Sequence, residues 1–352
     1  MKALLLAGGR GTRLQPLTNN IPKPMVPIVG KPLLERTIAN LKKNGINEII
    51  LSTCYQSQYI KNYFGDGKQF GVKIHYISED IPLGTGGAVK QAEKYFDDTF
   101  VVLNSDILSD IDVGQLIEHH RNKSCIATIA VTEVKNPSQY GVIEYDSHHY
   151  ITSFKEKPQA HEIASNFINA GIYVFEPQIF NEIPSNRVVS IEKETYPMLL
   201  NKGYKMAAYE MRCYWMDIGT PEKYIQAHKD ILNAECKIFS DCLMGCSHVG
   251  DLILKGKNTR IHPEAKIVGP VYVGENVNIE AYAFVGPHAV IGDGSSIAMG
   301  SRVVGSVLWD HVRVGRGARL VNTVIASNCR IDGSEEVYNT VYTEDVLQPV
   351  AI

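Results

Sequence analysis

The chain has 352 residues, with 44% hydrophobic and 21% charged residues and a formal net charge of −3 at pH 7. The length allows two domains, and the composition is ordinary for a soluble globular protein. The slightly negative charge argues against a general nucleic-acid binder, and no apolar run approaches the roughly 20 residues that span a bilayer.

Two further features of the chain predict a cytoplasmic protein. It carries seven scattered cysteines, an odd number that suits a reducing compartment better than a disulfide scaffold. Its first residues enter an apolar strand directly, without the pattern of a signal peptide.

The first predicted element is an apolar strand, Ala3–Ala7, which leads into a glycine-rich turn of sequence GGRGTR. Arg13 and Lys23 follow as fixed cations, the second between two prolines. Bare backbone N–H groups beside cations are suited to binding polyphosphate. The turn matches neither the G-x-G-x-x-G dinucleotide pattern nor the Walker loop ending in G-K-[ST].

Residues 1–230 alternate between strand-like and helix-like segments and are predicted to form one α/β domain. The spacing of apolar residues predicts a helix over Leu33–Asn44 and buried strands at Glu48–Thr53 and Phe100–Asn104. Such alternation is typical of a parallel sheet with helices on both faces, whose ligands bind beyond the carboxyl ends of the strands. Asp106 follows the last of these strands, at that edge.

The sequence pattern changes near residue 261, where aliphatic side chains begin to recur every sixth residue. Eight hexads run from Ile261 to Val303, each with a small or β-branched residue four positions later, a pattern typical of a parallel β-helix. The register slips by one residue before Leu308, which predicts a distorted turn. We expect a β-helix over 261–345 that serves structure and oligomerisation, after a linker and irregular first coil over 231–260.

The opening string GGRGTRLQPLTNNIPKP, with FKEKP at 154–158 and YWMDIGTP at 214–221, resembles the signature of the sugar-1-phosphate nucleotidyltransferases, or nucleotide-sugar pyrophosphorylases. The resemblance covers most of the chain and looks closest to the mannose-1-phosphate guanylyltransferases (GDP-mannose pyrophosphorylases). It implies an α/β fold, with a Rossmann-like mixed sheet followed by a left-handed parallel β-helix of hexapeptide repeats. It also implies that an NTP, here GTP, and a sugar 1-phosphate, here mannose 1-phosphate, give an NDP-sugar and pyrophosphate.

The same resemblance makes Asp106 and Asp217 the ligands of a catalytic Mg²⁺, together with phosphate oxygens. Mg²⁺ prefers hard oxygen ligands, often one or two carboxylates with substrate phosphates. Without the resemblance, an aspartate after a strand is more often a turn residue or a helix cap, and the same alternative holds for Asp217. Thr220 and Pro221, just beyond it, predict the N-cap and first residue of a helix.

The resemblance also assigns residues to each substrate. Nucleotide binding falls to Leu6, Ala7, Gly8, Gly9, Gly11, Thr12, Arg13, Lys23, Glu79, Gly84 and Thr85. Sugar-phosphate binding falls to Gly141, Glu156, Lys157 and Asn169, and the expected catalytic residues are Arg13, Lys23 and Asp106. The chemistry agrees, since a carboxylate accepts from sugar hydroxyls and an ammonium suits phosphate as a point charge. Taken alone, the charges at 155–157 favour a solvated cluster.

Glu79 carries the physical argument for guanine as the base. It stands five residues before Gly84, where uridylyl-transferring relatives tend to carry glutamine. A carboxylate only accepts, and guanine offers adjacent N1–H and N2–H donors, whereas uracil and thymine would present a carbonyl to it. The argument depends on a register inferred from the resemblance.

Several alternatives stay open from the sequence. The same chemistry could use UTP or dTTP with glucose 1-phosphate, or GTP with a heptose 1-phosphate. A second possibility is a bifunctional enzyme with an acyltransferase β-helix, in which His262, His288 or His311 would act as a base, although a structural role is favoured. A third is a catalytically silent regulatory subunit. The cluster of Cys236, Cys242, Cys246 and His248 lacks the C-x-x-C pairs of a zinc site.

Overall fold

The computed structural model describes residues 1–79, 81–236, 252–344 and the backbone of 247–248 and 347–349. The chain divides into two units. Unit 1 comprises Met1–Arg10 and Thr37–Trp215, and unit 2 comprises Gly11–Arg36 and Met216–Ile352. The glycine-rich turn therefore begins in unit 1 and continues in unit 2.

Six α-helices lie in the described part of the chain: α1, Leu33–Lys43; α2, Ser57–Phe64; α3, Gly84–Gln91; α4, Val113–Lys123; α5, Tyr196–Asn201; and α6, Pro221–Leu232. The helix predicted over Leu33–Asn44 is confirmed as α1 to within one residue. The predicted N-cap of α6 is also confirmed, because the Thr220 side chain accepts a hydrogen bond from the backbone of Lys223. No helix among the described residues is both long enough and apolar enough to cross a membrane.

The strands before residue 220 are β1, Lys2–Ala7; β2, Pro27–Ile28; β3, Lys31–Pro32; β4, Glu48–Thr53; β5, Lys73–Ser78; β6, Phe100–Asn104; β7, Ile107–Ser109; β8, Ala127–Glu133; β9, Gly141–Tyr145; β10, Ile151–Glu156; β11, Phe167–Phe175; β12, Met206–Glu210; and β13, Trp215–Asp217. Nine of them form the sheet of unit 1, in the order β10-β9-β11-β6-β1-β4-β5, with β8 beside β11 and β12 beside β8.

The sheet of unit 1 is mixed. Strands β6, β1, β4 and β5 run parallel, while β11 is antiparallel to β6 and carries the sheet on through β8 and β9. Leu4 and Leu5, at the centre of β1, are fully buried, as expected for a parallel strand covered on both faces. The carboxyl ends of β1, β4 and β6 therefore meet at one edge.

The β-helix is built from short strands, most of two or three residues: β14, Ser247–His248; β15, Ile253–Lys255; β16, Arg260–Ile261; β17, Lys266–Ile267; β18, Val271–Val273; β19, Asn278–Ile279; β20, Phe284–Val285; β21, Ala289–Ile291; β22, Ser296–Ile297; β23, Arg302–Val304; β24, Val307–Leu308; β25, Arg313–Val314; β26, Arg319–Val321; β27, Val324–Ile325; β28, Arg330–Ile331; β29, Glu336–Tyr338; β30, Thr340–Tyr342; and β31, Leu347–Pro349. Every third strand stacks in parallel, which gives three sheets around an aliphatic core, consistent with a left-handed β-helix.

The predicted register slip is present, and it recurs. Before it, Arg260 pairs with Asn278, an offset of 18 residues, and after it Ser296 pairs with Arg313, an offset of 17. All later coils keep the shorter length. The residues at the shortened corner, Gly305, Asn322 and Asn339, all take positive φ. The expected single distorted turn is thus a one-residue-shorter corner repeated in each later coil.

The two ends of one β-helix sheet are paired rather than open. β14 adds antiparallel to β15 at the start, and β31 adds antiparallel to β30 at the end. Ladder pairing already begins at β15, ahead of residue 261 from which the hexads were counted. These antiparallel strands limit edge-to-edge association along the stack.

Candidate active site

The carboxyl end of β1 is tied to the turn that carries Asp106. Strand β6 ends at Asn104, and the next residue, Ser105, donates to the Leu6 carbonyl from both its N–H, at 3.2 Å, and its Oγ, at 2.6 Å. Ser105 is buried. The sequence prediction that Asp106 lies at the carboxyl edge of the sheet is confirmed, with Leu6 and Ala7 at the end of the neighbouring strand.

The three glycines of the turn after β1 differ in whether packing within the chain requires glycine. Gly11 has φ +66°, and a Cβ there would lie 2.8 Å from Cβ of Lys23, so only glycine fits. Thr18 fastens this point, since its Oγ1 donates to the Gly11 carbonyl at 2.9 Å. A Cβ at Gly8 would make only ordinary contacts, and one at Gly9 would meet no atom of the described residues within 4 Å. Packing within the chain therefore does not explain glycine at 8 and 9.

Unit 2 brings Arg13 and Asp217 to the same glycine. Arg13 lies in a 3₁₀ turn, Thr12–Leu14, directly after Gly11. A Cβ built on Gly219 would be 2.9 Å from Oδ2 of Asp217 and 3.4 Å from Nη2 of Arg13. The predicted phosphate-binding guanidinium and the predicted metal carboxylate thus flank one backbone position.

Asp217 has a cationic partner that the sequence reasoning missed. Lys223, in the first turn of α6, donates from Nζ to Oδ1 of Asp217. Its backbone N–H is bound by the N-cap Thr220, which orients the first turn of the helix. The signal was present in the spacing, because a residue three positions after an N-cap lies on the first turn, close to the residues that precede the helix.

No group of three or more His, Cys, Asp or Glu side chains suited to hold a metal ion lies in the described part of the chain. The prediction was a site with two carboxylates, Asp106 in unit 1 and Asp217 in unit 2, completed by substrate oxygens. The donor chemistry fits Mg²⁺, since both side chains offer only oxygen.

Buried Cys236 is the only member of the predicted cysteine and histidine cluster whose side chain the structure describes.

Glu79 is buried, with 8% of its surface exposed, and is already hydrogen-bonded within unit 1. Its Oε1 accepts from Oγ of Ser52 at 2.6 Å, and its Oε2 accepts from the backbone N–H of Leu83 at 2.8 Å. Each carboxylate oxygen has a second lone pair. Glu79 therefore fixes the loop before α3 and still presents acceptor capacity, a double role that the sequence did not indicate.

The sequence LGTGGA at 83–88 forms the start of α3, and close packing requires glycine at position 84. Gly84 has φ +73°, and a Cβ there would lie 2.5 Å from the carbonyl oxygen of Val189. The N–H of Gly86 donates to that same oxygen at 2.9 Å, and the N–H of Val189 donates to Leu83. The segment around Val189 therefore packs closely on the start of α3.

Thr85, expected to bind nucleotide, holds the same two segments together. Its Oγ1 donates to Oε2 of Glu192 at 2.6 Å and accepts from the N–H of Ile191 at 3.0 Å. Glu192 lies in a π-helical turn, Ile191–Thr195, before α5. The sequence reasoning missed this carboxylate, which lacks a motif around it.

Glu156 ends β10 in a pocket that Gly141 leaves open. A Cβ on Gly141 would lie 2.9 Å from Oε2 of Glu156, so glycine makes room for the carboxylate. Burial, reinforced by the negative charge of Glu192, raises the pKa of Glu156. Lys157 follows with φ +49° and a side chain that is 65% exposed, 4.0 Å from the Glu156 carboxylate. The two carboxylates form an acceptor-rich patch beside a solvent-accessible ammonium.

Asn169 lies inside β11, at a bulge. Its Oδ1 accepts from the N–H of Gly171 at 2.9 Å, and its Nδ2 donates to the hydroxyl of Tyr173 at 2.9 Å. Gly171 has φ +74°, and a Cβ there would lie 2.8 Å from Nδ2 of Asn104. The bulge thus brings the segment Asn169–Gly171 over the end of β6.

Two aromatic residues complete the same part of unit 1. The indole N–H of Trp215 donates to the Ala170 carbonyl at 2.8 Å, and its ring meets that of Tyr140 edge to face, with centroids 5.9 Å apart. Gly141 follows Tyr140, and Trp215 stands inside the motif YWMDIGTP, but the sequence reasoning gave neither ring a role. Their contact closes one side of the predicted sugar region.

The three β-helix histidines occupy separate places in the coils. Nε2 of His288 lies 2.9 Å from Oδ1 of Asn233, and Nδ1 of His262 accepts from the N–H of Glu264. A Cβ on Gly294 would meet the ring of His311 at 2.4 Å. These contacts are those of structural residues in corners of the stack.

Comparison with known proteins gives matches to both parts of the chain. The family model described as Nucleotidyl transferase matches residues 2–234, and that described as GMPPB C-terminal domain matches residues 267–348. A UTP--glucose-1-phosphate uridylyltransferase of Synechocystis sp. is 36% identical over 333 residues, 89% of this chain and 84% of the relative. A mannose-1-phosphate guanylyltransferase of Mycobacterium tuberculosis is 35% identical over 313 residues, 88% of this chain and 80% of the relative.

A solved structure is similar to about two thirds of the chain. The crystal structure of HddC from Yersinia pseudotuberculosis complexed with GMP-PN superposes with a TM-score of 0.57 at 33% identity. It covers 65% of this chain and 99% of that one.

Proposed function

The chain belongs to the nucleotidyl transferase family, and we propose that it transfers a guanylyl group from GTP to mannose 1-phosphate, which gives GDP-mannose and pyrophosphate. The observation that carries the proposal is the placement of Asp106 beside the end of β1, where the glycine-rich turn begins. An anionic substrate at this edge would meet backbone N–H groups and the following cations.

The proposed reaction is a single displacement at phosphorus. A phosphate oxygen of the sugar 1-phosphate forms a bond to the α-phosphorus of the NTP, the bond to the bridging oxygen breaks, and pyrophosphate leaves. The chain's contribution is positioning and charge stabilisation, because no covalent intermediate is needed.

Each cation has one part in this proposal. Arg13 and the N–H groups of the turn hold the leaving pyrophosphate, and Lys23 stabilises charge near the α-phosphate. Exposed Lys157 binds the phosphate of the sugar 1-phosphate. Support comes from the tight packing of Gly11 on Lys23, which leaves the turn and this lysine side by side in unit 2.

The proposal assigns Mg²⁺ to Asp106 and Asp217. When bound, the ion neutralises phosphate charge and orients the α-phosphate. Asp217 accepts a hydrogen bond from Lys223 at Oδ1, and its carboxylate offers the hard oxygen donors that Mg²⁺ prefers. Lys223 would compete with a bound Mg²⁺ for the Asp217 carboxylate.

The sugar is assigned to the region of Glu156 and Asn169. Glu156 and Glu192 supply hydroxyl acceptors, and the raised pKa of Glu156 reflects its burial and the negative charge of Glu192. The contact between Trp215 and Tyr140 bounds this region in unit 1.

Guanine is proposed as the base because Glu79 retains two unused lone pairs after its bonds to Ser52 and Leu83. Adjacent N1–H and N2–H donors match a carboxylate, and the carbonyl of uracil does not. The relatives differ in their base, since one is a uridylyltransferase at 36% identity and another a guanylyltransferase at 35%. UTP or dTTP with glucose 1-phosphate is therefore the second candidate.

The deciding experiment crosses four NTPs with several sugar 1-phosphates and reads pyrophosphate release by the full chain. We expect GTP with mannose 1-phosphate to give the highest kcat/KM, and Asp106→Asn to abolish the signal in the same assay. A preference for UTP or dTTP would overturn the base assignment and leave the reaction class. Absence of turnover with every pair would overturn catalysis and favour a regulatory subunit.

The proposal also covers the setting of the enzyme. We place it in the cytoplasm, since seven scattered cysteines, an odd number, suit a reducing compartment better than a disulfide scaffold. We further infer a homo-oligomer formed through the β-helix.

A further inference from the structure

We propose that the β-helix positions the segment that carries Lys23, through a buried hydrogen-bond chain from Trp309 through Tyr224 to the carbonyl of Pro27. The inference rests on the proposed function, in which Lys23 acts on the α-phosphate. It gives the β-helix a part in the reaction of this chain beyond structure and oligomerisation. All residues of the argument lie in unit 2.

The chain of hydrogen bonds is buried along its length. Trp309, just after β24, is 7% exposed and donates from Nε1 to the Tyr224 hydroxyl at 2.9 Å. Tyr224, in α6, is fully buried and donates from its hydroxyl to the Pro27 carbonyl. Burial raises the pKa of Tyr224, so the hydroxyl stays protonated and its proton is directed at Pro27. One side chain therefore links the β-helix, α6 and β2.

A second set of contacts holds the residues next to Pro27. Val29 has φ +47°, a strained conformation for a β-branched residue, and is almost fully buried. Its N–H donates to Nε2 of His228 at 3.2 Å, and its carbonyl accepts from Nη2 of Arg36 at 2.8 Å. Strain of this kind persists only where the surroundings over-determine it, and it is concentrated at functional sites.

The β-helix also touches this turn directly. Gly30 has φ +76°, and a Cβ there would lie 2.9 Å from the hydroxyl of Tyr272 in β18. Two different coils, through Tyr272 and Trp309, therefore reach the same short hairpin of β2 and β3. The hairpin is thus held by Tyr272 in β18 and, through Tyr224, by Trp309 just after β24.

The hairpin is close in sequence to the catalytic lysine. Lys23 begins a 3₁₀ turn, Lys23–Met25, and β2 starts two residues after that turn. Lys23 is itself buried against Gly11 of the glycine-rich turn. Displacement of the hairpin therefore moves the lysine relative to the phosphate, and an error of about 1 Å in such a position costs on the order of a hundredfold in rate.

The test compares two substitutions on the full chain. Trp309→Phe removes the indole N–H and keeps an aromatic ring. Tyr282→Phe is the control, since its hydroxyl donates to Glu264 on the exposed surface of the same β-helix. We expect Trp309→Phe to lower kcat by about tenfold, with KM for both substrates within about twofold, because positioning of Lys23 matters most in the transition state.

A second measurement does not depend on activity. Hydrogen exchange of peptides covering residues 22–30 should accelerate in Trp309→Phe, while peptides from β1 and β6 and the Tyr282→Phe control stay at wild-type rates. If Trp309→Phe prevents folding, Tyr224→Phe is measured in the same way, since it removes the same link from the α6 side. Unchanged exchange over 22–30 in a folded variant would overturn the proposal, as would an unchanged kcat.

The two possible failures are separable. Wild-type protein without turnover for any substrate pair would count against the proposed function, while faster exchange over 22–30 would still show the mechanical link. Active wild-type protein with full kcat and wild-type exchange in Trp309→Phe would overturn the link alone. In a double variant with Tyr224→Phe, the effects on kcat should not add, because both remove one path.

Discussion

The two units of the molecule hold their functional groups in different ways. Unit 1 places Asp106 just beyond the end of β6 and Glu156 at the end of β10, two strands of the same sheet. Unit 2 places Arg13 and Lys23 on a segment without regular sheet partners, held by α6 and the coils of the β-helix. Strand ends give precision from local register, whereas the segment of unit 2 needs long-range contacts to reach the same precision.

The largest expected effect tests one carboxylate from each unit. Asp106→Asn and Asp217→Asn should each lower kcat by at least about a hundredfold, the scale of losing an important transition-state charge contact. Steady-state kinetics at saturating Mg²⁺ measures this. Near-wild-type turnover in either variant would remove that residue from the metal role.

Lys223 sharpens the comparison, because its ammonium is paired with the Asp217 carboxylate. Lys223→Met leaves the Asp217 charge in place and removes its competitor. We expect this variant to need less Mg²⁺ for half-maximal activity, while Asp217→Asn needs more or is inactive. An unchanged Mg²⁺ requirement in Lys223→Met would show that the ion does not meet Asp217.

The second effect is the pH dependence of stability that arises from buried His228 in unit 2. Nδ1 of His228 donates to the Tyr224 carbonyl, so Nε2 must stay unprotonated to accept from Val29. Burial, opposed by that bond and reinforced by the charge of Arg36, lowers the pKa of His228 to about 4. The unfolded chain binds this proton near pH 6.5, so the free energy of unfolding falls as pH drops from 6.5 to 4, by about 3 kcal/mol at most.

Chemical denaturation across pH 4 to 7 measures this loss, and His228→Gln is the control. The amide keeps an acceptor for Val29 but does not titrate. Other buried histidines, such as His120, remain in both proteins, so only the difference between them reports on His228. Parallel pH dependence in the two proteins would contradict the assignment.

The third effect contrasts two glycines. Gly84→Ala should lower stability by roughly 1–3 kcal/mol, because its φ is positive and the new Cβ meets the Val189 carbonyl. Gly9→Ala should leave stability within about 0.5 kcal/mol and lower activity, since its Cβ would occupy the proposed approach of the polyphosphate. Thermal midpoints and kcat/KM, read on both variants, distinguish packing glycines from substrate glycines.

The smallest expected effect is on the choice of base. Glu79→Gln keeps the size of the side chain but replaces one acceptor with a donor. We expect the ratio of kcat/KM for GTP to that for UTP to fall, since charge-assisted hydrogen bonds are worth about 1.5–3 kcal/mol each. Ser52→Ala is the control, because it removes the bond to Oε1 without altering the charge. An unchanged ratio in Glu79→Gln would move base reading to the Leu83–Gly87 backbone.

Much of the fold followed from patterns in the sequence, because those patterns reflect burial within a few residues. The strands Glu48–Thr53 and Phe100–Asn104 and the N-cap at Thr220 are found as predicted. The hexads of the β-helix were visible because each coil buries one aliphatic per face, a period that the chain must keep. Boundaries were less certain where a bulge intervened, as at Asn169 within β11.

The amino-acid sequence by itself determined the family, the division into an α/β region and a hexapeptide-repeat region, and the residues that bear charge. Only the tertiary structure decided which of them are held by partners: Lys223 on Asp217, Ser52 on Glu79, Glu192 beside Glu156, and Trp309 and His228 on the hairpin before α1. The reason is physical. Periodicity records whether a side chain is buried, but a hydrogen bond between residues 85 positions apart, as from Trp309 to Tyr224, leaves no local pattern.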